Sequence, residues 1–315
     1  MNKIIFIGTN NFAAYILDKL IYKKITIIAV FTKPDSIMGR GKILKEHPVK
    51  KIAKKNTKIK IYTPNNINTE KYINIIKNIK PKLIIVTDYG NIICDKIINI
   101  PNANVINIHP SKLPKLRGAS PIQYAILKGY KSTGISIIKL SAKLDSGDII
   151  NYKGCKIALN DTYISLKKKL CKLALICLIE TINIFKKNKV NYIKQNHKNA
   201  TYANKIESNF FKIQWNNSNE NINRKTRALL NNKNSSHTYI NKKYIKIINV
   251  RNTNKKNNIL KPGTIFKINK LSLSVKTKDK IINIYKIQLP GKKISYIKNV
   301  LNGNKTLFKI GNKFE

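Results

Sequence analysis

Four short runs dominated by isoleucine and valine constrain this chain more than any other feature: KIIFIGT (3–9), ITIIAVFT (25–32), KLIIVTDYG (82–90) and VINIH (105–109). A run without polar alternation has no face to give to water, so each reads as a strand covered on both sides. The first is followed by FAAYILDKLIY, a helical pattern. Repeated βα units of this kind build an open, parallel, doubly wound α/β sheet of the Rossmann-like type. ISIIKL (135–140) reads as a further strand, and ISLKKKLCKLALICLIETINIFKK as a long helix that ends this part of the chain. The turn after the first strand, GTNNF, is not G-x-G-x-x-G, so the dinucleotide-binding fingerprint is missing. From 190 to 206 the sequence is polar and loses its periodicity, which reads as a linker. Beyond it YIKIINV, GTIFKI, LSLSVKT and IINIYKI alternate at short intervals around turn signals such as Pro262-Gly263, which suggests a small β-barrel, OB-like in plan. The chain thus divides into a domain at 1–189, a linker at 190–206 and a barrel at 207–315. Its 315 residues, 42% of them hydrophobic, are enough for two cores.

The formal net charge of +48 favours polyanionic partners. The same sequence is saturated with Lys, Asn, Ile and Tyr, residues of A/T-rich codons, so compositional drift is an equally open source of that charge. Its distribution separates the two weakly: residues 207–315 hold 24 Lys and Arg against 4 Asp and Glu, the rest of the chain 38 against 10. Cys94, Cys155, Cys171 and Cys177 have neither C-x-x-C spacing nor histidine partners, so buried free thiols are expected and no metal. The amino-terminal apolar run is too short for a secretory signal, and no stretch approaches a membrane span of roughly 18 apolar residues. A cytoplasmic protein without membrane association, and a monomer, is expected.

The stretch VINIHPSKLPKLRGASPIQYAI (105–126) carries the chemistry. Residues two apart on a strand share a face, so Asn107 and His109 project together, near the carboxyl end where open parallel sheets bind ligands. Ser120, Pro121 and Gln123 supply the N-cap, first-turn proline and capping-box partner of a helix that Gly129 stops, and this helix anchors the intervening basic loop. After ISIIKL, the turn SAKLDSGDII places Asp145 and Asp148 around a Ser-Gly pair, in a chain with only 14 acidic residues. A surface turn explains two acids; so does a site that needs them.

These segments resemble the methionyl-tRNA formyltransferases. NIHPSKLPKLRGASPIQ is similar to that family's N-[VI]-H-x-S-L-L-P-x-x-R-G-A-x-P-I-Q signature and LDSGDI to its L-D-x-G-D motif. IIFIGTNNFAA, FTKPDSIMGRGKILKEHPVK, TYANKI, PGTI and GKK follow the family's order over nearly the whole chain. The resemblance implies transfer of a formyl group from 10-formyltetrahydrofolate to the α-amino group of methionyl initiator tRNA. Attack of the amine on the formyl carbon generates an oxyanion, which needs hydrogen-bond donors, and releases a proton, which needs an acceptor. By similarity Asn107 and His109 serve the oxyanion, and Asp145 favours the charged imidazole and helps move the proton through a bound water. Ser111, Lys112, Leu113 and Pro114 would contact the folate and Tyr89 and Gly90 would lie near its pterin. Arg40 and Lys42 would meet the acceptor end of the tRNA, with Lys292 and Lys293 on a tRNA-binding barrel.

The chain departs from the family pattern at Lys112, where leucine is usual. Asp88 replaces an apolar residue, Cys94 a proline and Gln214 an acid, and NNKNSSHTY (231–239) stands in place of Asn-Pro-Trp-Pro. Rival readings are a sugar-nucleotide formyltransferase with a comparable two-domain plan, a glycinamide ribonucleotide formyltransferase, which usually lacks the second domain, and a non-catalytic RNA-binding relative.

Overall fold

The computed structural model describes residues 3–38, 43–231, 235–304 and 306–315. The chain forms two compact units, one made of residues 1–121, 132–156 and 167–204, the other of 122–131, 157–166 and 205–315.

From the amino terminus the elements run β1 (Ile4–Ile7), α1 (Asn11–Tyr22), β2 (Ile27–Phe31), β3 (Ser36–Met38), β4 (Ile43–Lys45), α2 (Pro48–Ala53), β5 (Lys60–Tyr62), α3 (Glu70–Ile79), β6 (Leu83–Val86), α4 (Asp95–Ile98) and β7 (Asn104–His109). They continue through α5 (Pro121–Leu127), β8 (Ser132–Lys139), β9 (Ile149–Lys156) and the 24-residue α6 (Tyr163–Lys186). Every residue of β1 and β6 is buried, as an apolar run without alternation requires. α1 carries Phe12, Ala13, Ile16, Leu17 and Leu20 at helical spacing on its buried face. Ile5, Ile7, Ile84, Val86 and Val105 meet Phe31, Ile73, Ile76 and Tyr89 in one core cluster.

The sheet order is β5-β2-β1-β6-β7-β8-β9. The pairs β2·β1, β1·β6 and β6·β7 are parallel, as the four runs predict, and β5, which no run marks, adds parallel to β2. The ISIIKL run joins differently: β8 is antiparallel to β7 and β9 antiparallel to β8. Between β7 and β8 the chain passes through the 110–120 loop and a seven-residue helix and re-enters the sheet from the end where β7 stopped.

The second unit contains α7 (Asn219–Leu229), β10 (His237–Ile240), β11 (Lys243–Asn252), β12 (Ile265–Ile268), β13 (Leu273–Lys276), β14 (Ile281–Gln288), β15 (Ser295–Tyr296) and α8 (Ile297–Leu301). The strands pair antiparallel in the order β10-β11-β14-β13-β12, with β15 on β14. The sheet curls, and residues 312–315 span its two edges. Phe314 N donates to Gly263 O (2.9 Å) and Ile265 N to Asn312 O (2.8 Å), while Glu315 and Tyr239 exchange both backbone bonds (2.8 and 3.2 Å). Trp215 stacks on Phe314 at 5.4 Å and donates to Thr238 Oγ1 (2.9 Å), which donates to Glu315 O (2.7 Å). Ile213, Ile245, Ile247, Val275, Ile284 and Phe308 fill the interior. α7, not foreseen in the sequence, buries Ile222, Thr226, Ala228 and Leu229, and Ser218 Oγ caps it by accepting from Asn221 N (3.2 Å).

Candidate active site

β7 delivers Asn107 and His109 at its carboxyl end, where β6 lies on one side and β8 on the other. Asp145, in the turn between β8 and β9, reaches both. Asn107 Nδ2 donates to Asp145 Oδ1 at 3.0 Å, and His109 Nδ1 lies 3.4 Å from Asp145 Oδ2. The other ring nitrogen, Nε2, is 2.9 Å from Leu116 O. A carbonyl only accepts, so Nε2 carries a proton toward Leu116 O, and a proton on Nδ1 as well would let the ring pair with Asp145. The His109 side chain is 5% exposed and that of Asp145 9%, which keeps this contact largely out of water.

A tripeptide in the loop before α5 holds the arrangement. Leu116 receives His109; Gly118 N donates to Asp145 Oδ2 at 2.8 Å. Between them Arg117, 4% exposed, sends Nη2 to Gln195 Oε1 at 2.6 Å and to His197 Nδ1 at 2.9 Å. Gln195, also buried, donates its amide to the carbonyls of Asp145 (2.9 Å) and Gly147 (2.7 Å). Leu116 and Asp145 both adopt left-handed backbone (φ 61° and 48°), a conformation that costs a non-glycine residue roughly 1–2 kcal/mol. The hydrogen bonds to their main chains and to the Asp145 carboxylate offset that strain. Gly147 is a matter of space: a Cβ there would sit 1.9 Å from Lys139 O, so the turn that aims Asp145 closes only around a residue without a side chain.

The loop 111–114 is fixed from below. Ser111 Oγ donates to Lys115 O (2.7 Å), Leu113 N donates to Ser136 Oγ (3.2 Å), and that hydroxyl donates to Ser111 O (2.8 Å). The Leu113-Pro114 peptide is cis. Lys112 is exposed, its Nζ 5.8 Å from the centre of the Tyr152 ring. On the neighbouring strand end, Tyr89 is buried in the core, its carbonyl accepting from Thr9 Oγ1 (3.1 Å), and Gly90 O accepts from Lys33 Nζ (3.2 Å). The Tyr89 hydroxyl has no partner among the described residues, and burial pushes it up to about 12. It is therefore neutral across the physiological range. Asp88 is held by Asn10 Nδ2 (3.1 Å), and Cys94 occupies the N-cap of α4, its N–H bound to Asn68 Oδ1 (2.9 Å).

Asn107, His109 and Asp145 come together as the sequence predicts. Arg40 and Lys42 lie outside the described residues; the segments flanking them pair as the β3–β4 hairpin, Ser36 opposite Lys45. Of NNKNSSHTY, residues 232–234 lie outside as well. Lys292 and Lys293 are exposed on the turn between β14 and β15, in the second unit. Arg117, Gln195, Ser136 and Thr201, whose Oγ1 accepts from Leu116 N at 2.9 Å, are not singled out by the sequence. Gln195 and Thr201 fall in the polar stretch read as a linker, where no periodicity marks a buried position.

Two polar strand residues share a loop carboxylate at the carboxyl end of an open α/β sheet, an arrangement that can hold and move a proton. The chain belongs to the formyl transferases: the Formyl transferase family matches residues 2–182, and the Formyl transferase, C-terminal domain, matches residues 205–305. Solved structures share the fold at low identity. A sugar 3N-formyl transferase, WlaRD, superposes with a TM-score of 0.64 at 23% identity over 93% of this chain and 99% of that one. HypX from Aquifex aeolicus, in complex with tetrahydrofolic acid, gives 0.64 at 16% over 98% of this chain and 50% of its own. Within the class, relatives that this chain matches over nearly its whole length include methionyl-tRNA formyltransferases at 35% and 38% identity, and this chain is a member of that family. The protein of that name from Buchnera aphidicola is 38% identical over 98% of both chains, and that of Legionella pneumophila 35% identical over 98% of this chain and 97% of its own.

Proposed function

We propose that the protein transfers the formyl group of 10-formyltetrahydrofolate to the α-amino group of methionyl initiator tRNA. The observation that carries the reading is the convergence of Asn107, His109 and Gly118 on one carboxylate, Asp145, in a chain that follows this family from end to end. Asn107 spends one amide hydrogen on Asp145 and has a second to donate to the formyl oxygen. His109, charged between Leu116 O and Asp145, stabilises negative charge developing on that oxygen. Asp145 fixes both donors and accepts the amine proton, through water, as nitrogen bonds to carbon. No side-chain nucleophile is needed.

The residues suit a folate donor. The Tyr89-Gly90 turn and the Ser111, Lys112, Leu113 and Pro114 loop sit at the carboxyl ends of neighbouring strands, and the neutral Tyr89 hydroxyl is unpartnered among the described residues. When bound, the folate supplies an activated formyl carbon. Arg40 and Lys42 engage the acceptor end of the tRNA; Lys292 and Lys293 bind it on the barrel of residues 207–315, joined by 190–206 to the catalytic domain of 1–189. The protein acts in the cytoplasm as a monomer, and no helix among the described residues is long and apolar enough to cross a membrane. The test is a competition of acceptors: methionyl initiator tRNA, a nucleotide-linked amino sugar and glycinamide ribonucleotide, each with 10-formyltetrahydrofolate. Formylation of the tRNA alone is expected; preferential formylation of either small acceptor overturns the reading.

A further inference from the structure

Asp145 is reached from two directions. Its carboxylate is held by Asn107, His109 and Gly118, while its carbonyl, with that of Gly147, is held by the one amide of Gln195. A carbonyl can only accept, so the Gln195 amide must present its NH2 to the turn. The Arg117 guanidinium enforces that orientation by taking Oε1 at 2.6 Å, since an arginine can only donate. The frame extends further along the chain. Arg117 N donates to Thr201 O (2.8 Å), Ala203 N to Arg117 O (2.7 Å) and Ser120 N to Ala203 O (3.0 Å), so residues 201–203 are zipped to the loop whose members touch His109 and Asp145.

We infer that Gln195, oriented by Arg117, is a positioning residue for the reaction: it sets the main-chain conformation that aims Asp145 at Asn107 and His109. The segment 195–203 is therefore part of the catalytic frame as well as the connection to the second unit. The inference rests on the formyl-transfer reading for its kinetic consequence, but the clamp itself is a property of this chain's own residues. Among the described residues Gln195 makes no hydrogen bond to the trio's side chains, and its effect is exerted through the left-handed Asp145 backbone.

Gln195→Glu separates positioning from mere stability. The carboxylate keeps the buried volume and pairs with Arg117 through one oxygen, yet the oxygen that replaces the amide nitrogen is an acceptor facing two carbonyls and so releases the turn. The expected outcome is a melting temperature at or above that of the parent, a kcat lowered about 10- to 100-fold, the cost of displacing a catalytic group by about an ångström, and KM values for both substrates within about threefold. The 15N resonances of the His109 ring should move as Asp145 shifts. Gln195→Leu, lacking both functions, should lower kcat similarly and the melting temperature as well. If Gln195→Glu retains parental kcat and an unchanged His109 spectrum, with only Gln195→Leu affected and only in melting temperature, Gln195 is a structural residue and the inference is wrong. If the parent fails to formylate tRNA at all, the functional reading fails while the His109 spectra still decide the clamp.

Discussion

Asn107, His109 and Asp145 differ in what each loses on truncation. Removing an oxyanion donor costs about 100- to 1,000-fold in turnover, and Asn107→Ala should fall in that range with the fold intact by circular dichroism. A loss under about threefold contradicts the donor role. His109→Ala leaves Asp145 with Asn107 and Gly118 as partners, whereas Asp145→Ala strips both donors of their common acceptor. The two single variants should be comparably impaired, and the double variant should lose less than the product of the single losses, because the groups act as a unit. The three are legible in sequence for local reasons: strand parity places Asn107 beside His109, and acids are scarce enough for Asp145 to stand out. Gln195 is illegible because its partner carbonyls lie 50 and 48 residues away, and a glutamine among asparagines and lysines carries no local signal of burial. Arg117 stands inside the most recognisable segment of the chain, yet nothing in that segment says that its guanidinium reaches forward to Gln195 and His197.

In the first sheet β1, β2, β6, β7 and β8 are legible from their apolar runs, while β5 and β9, partly exposed and without such a run, are not. Strand direction is read less well: the run that forms β8 does not say that it lies antiparallel to β7. In the second unit β11, β12, β13 and β14 follow the alternating runs, while α7 is hidden by its composition. NENINRKTRAL has few apolar positions, and its buried face includes Asn219 and Thr226. The turn between β8 and β9 offers a test of how its geometry serves the site. Gly147→Ala forces a methyl group into Lys139 O, so the turn must open; activity should fall at least about tenfold, with a lowered melting temperature in the same sample. Parental activity would show that Asp145 does not depend on this closure. Residues 312–315 offer another. Phe314→Ala removes a ring that stacks on Trp215 beside the strand joining both sheet edges, and truncations of this kind cost about 3–5 kcal/mol. Denaturant unfolding should show that loss.

The charge of +48 is where composition and function are hardest to separate, because each lysine looks alike in sequence. Exposed Lys292 and Lys293 on the β14–β15 turn and exposed Lys186 and Lys187 at the end of α6 form a matched pair of pairs. Neutralising the first pair should weaken tRNA binding and flatten its salt dependence by about one unit of log–log slope for each phosphate that no longer meets a lysine; neutralising the second should leave both nearly unchanged. Equal effects would make the charge a diffuse field and remove the case for a dedicated face on residues 207–315. The most direct measurement is the rate of formyl transfer from 10-formyltetrahydrofolate to methionyl initiator tRNA, taken in parallel with methionyl elongator tRNA and with the His109→Ala variant. Rapid formylation of the initiator, little of the elongator, and a loss of at least about 100-fold in the variant are predicted. No transfer to the initiator, or transfer that survives loss of the His109 ring, would contradict the account.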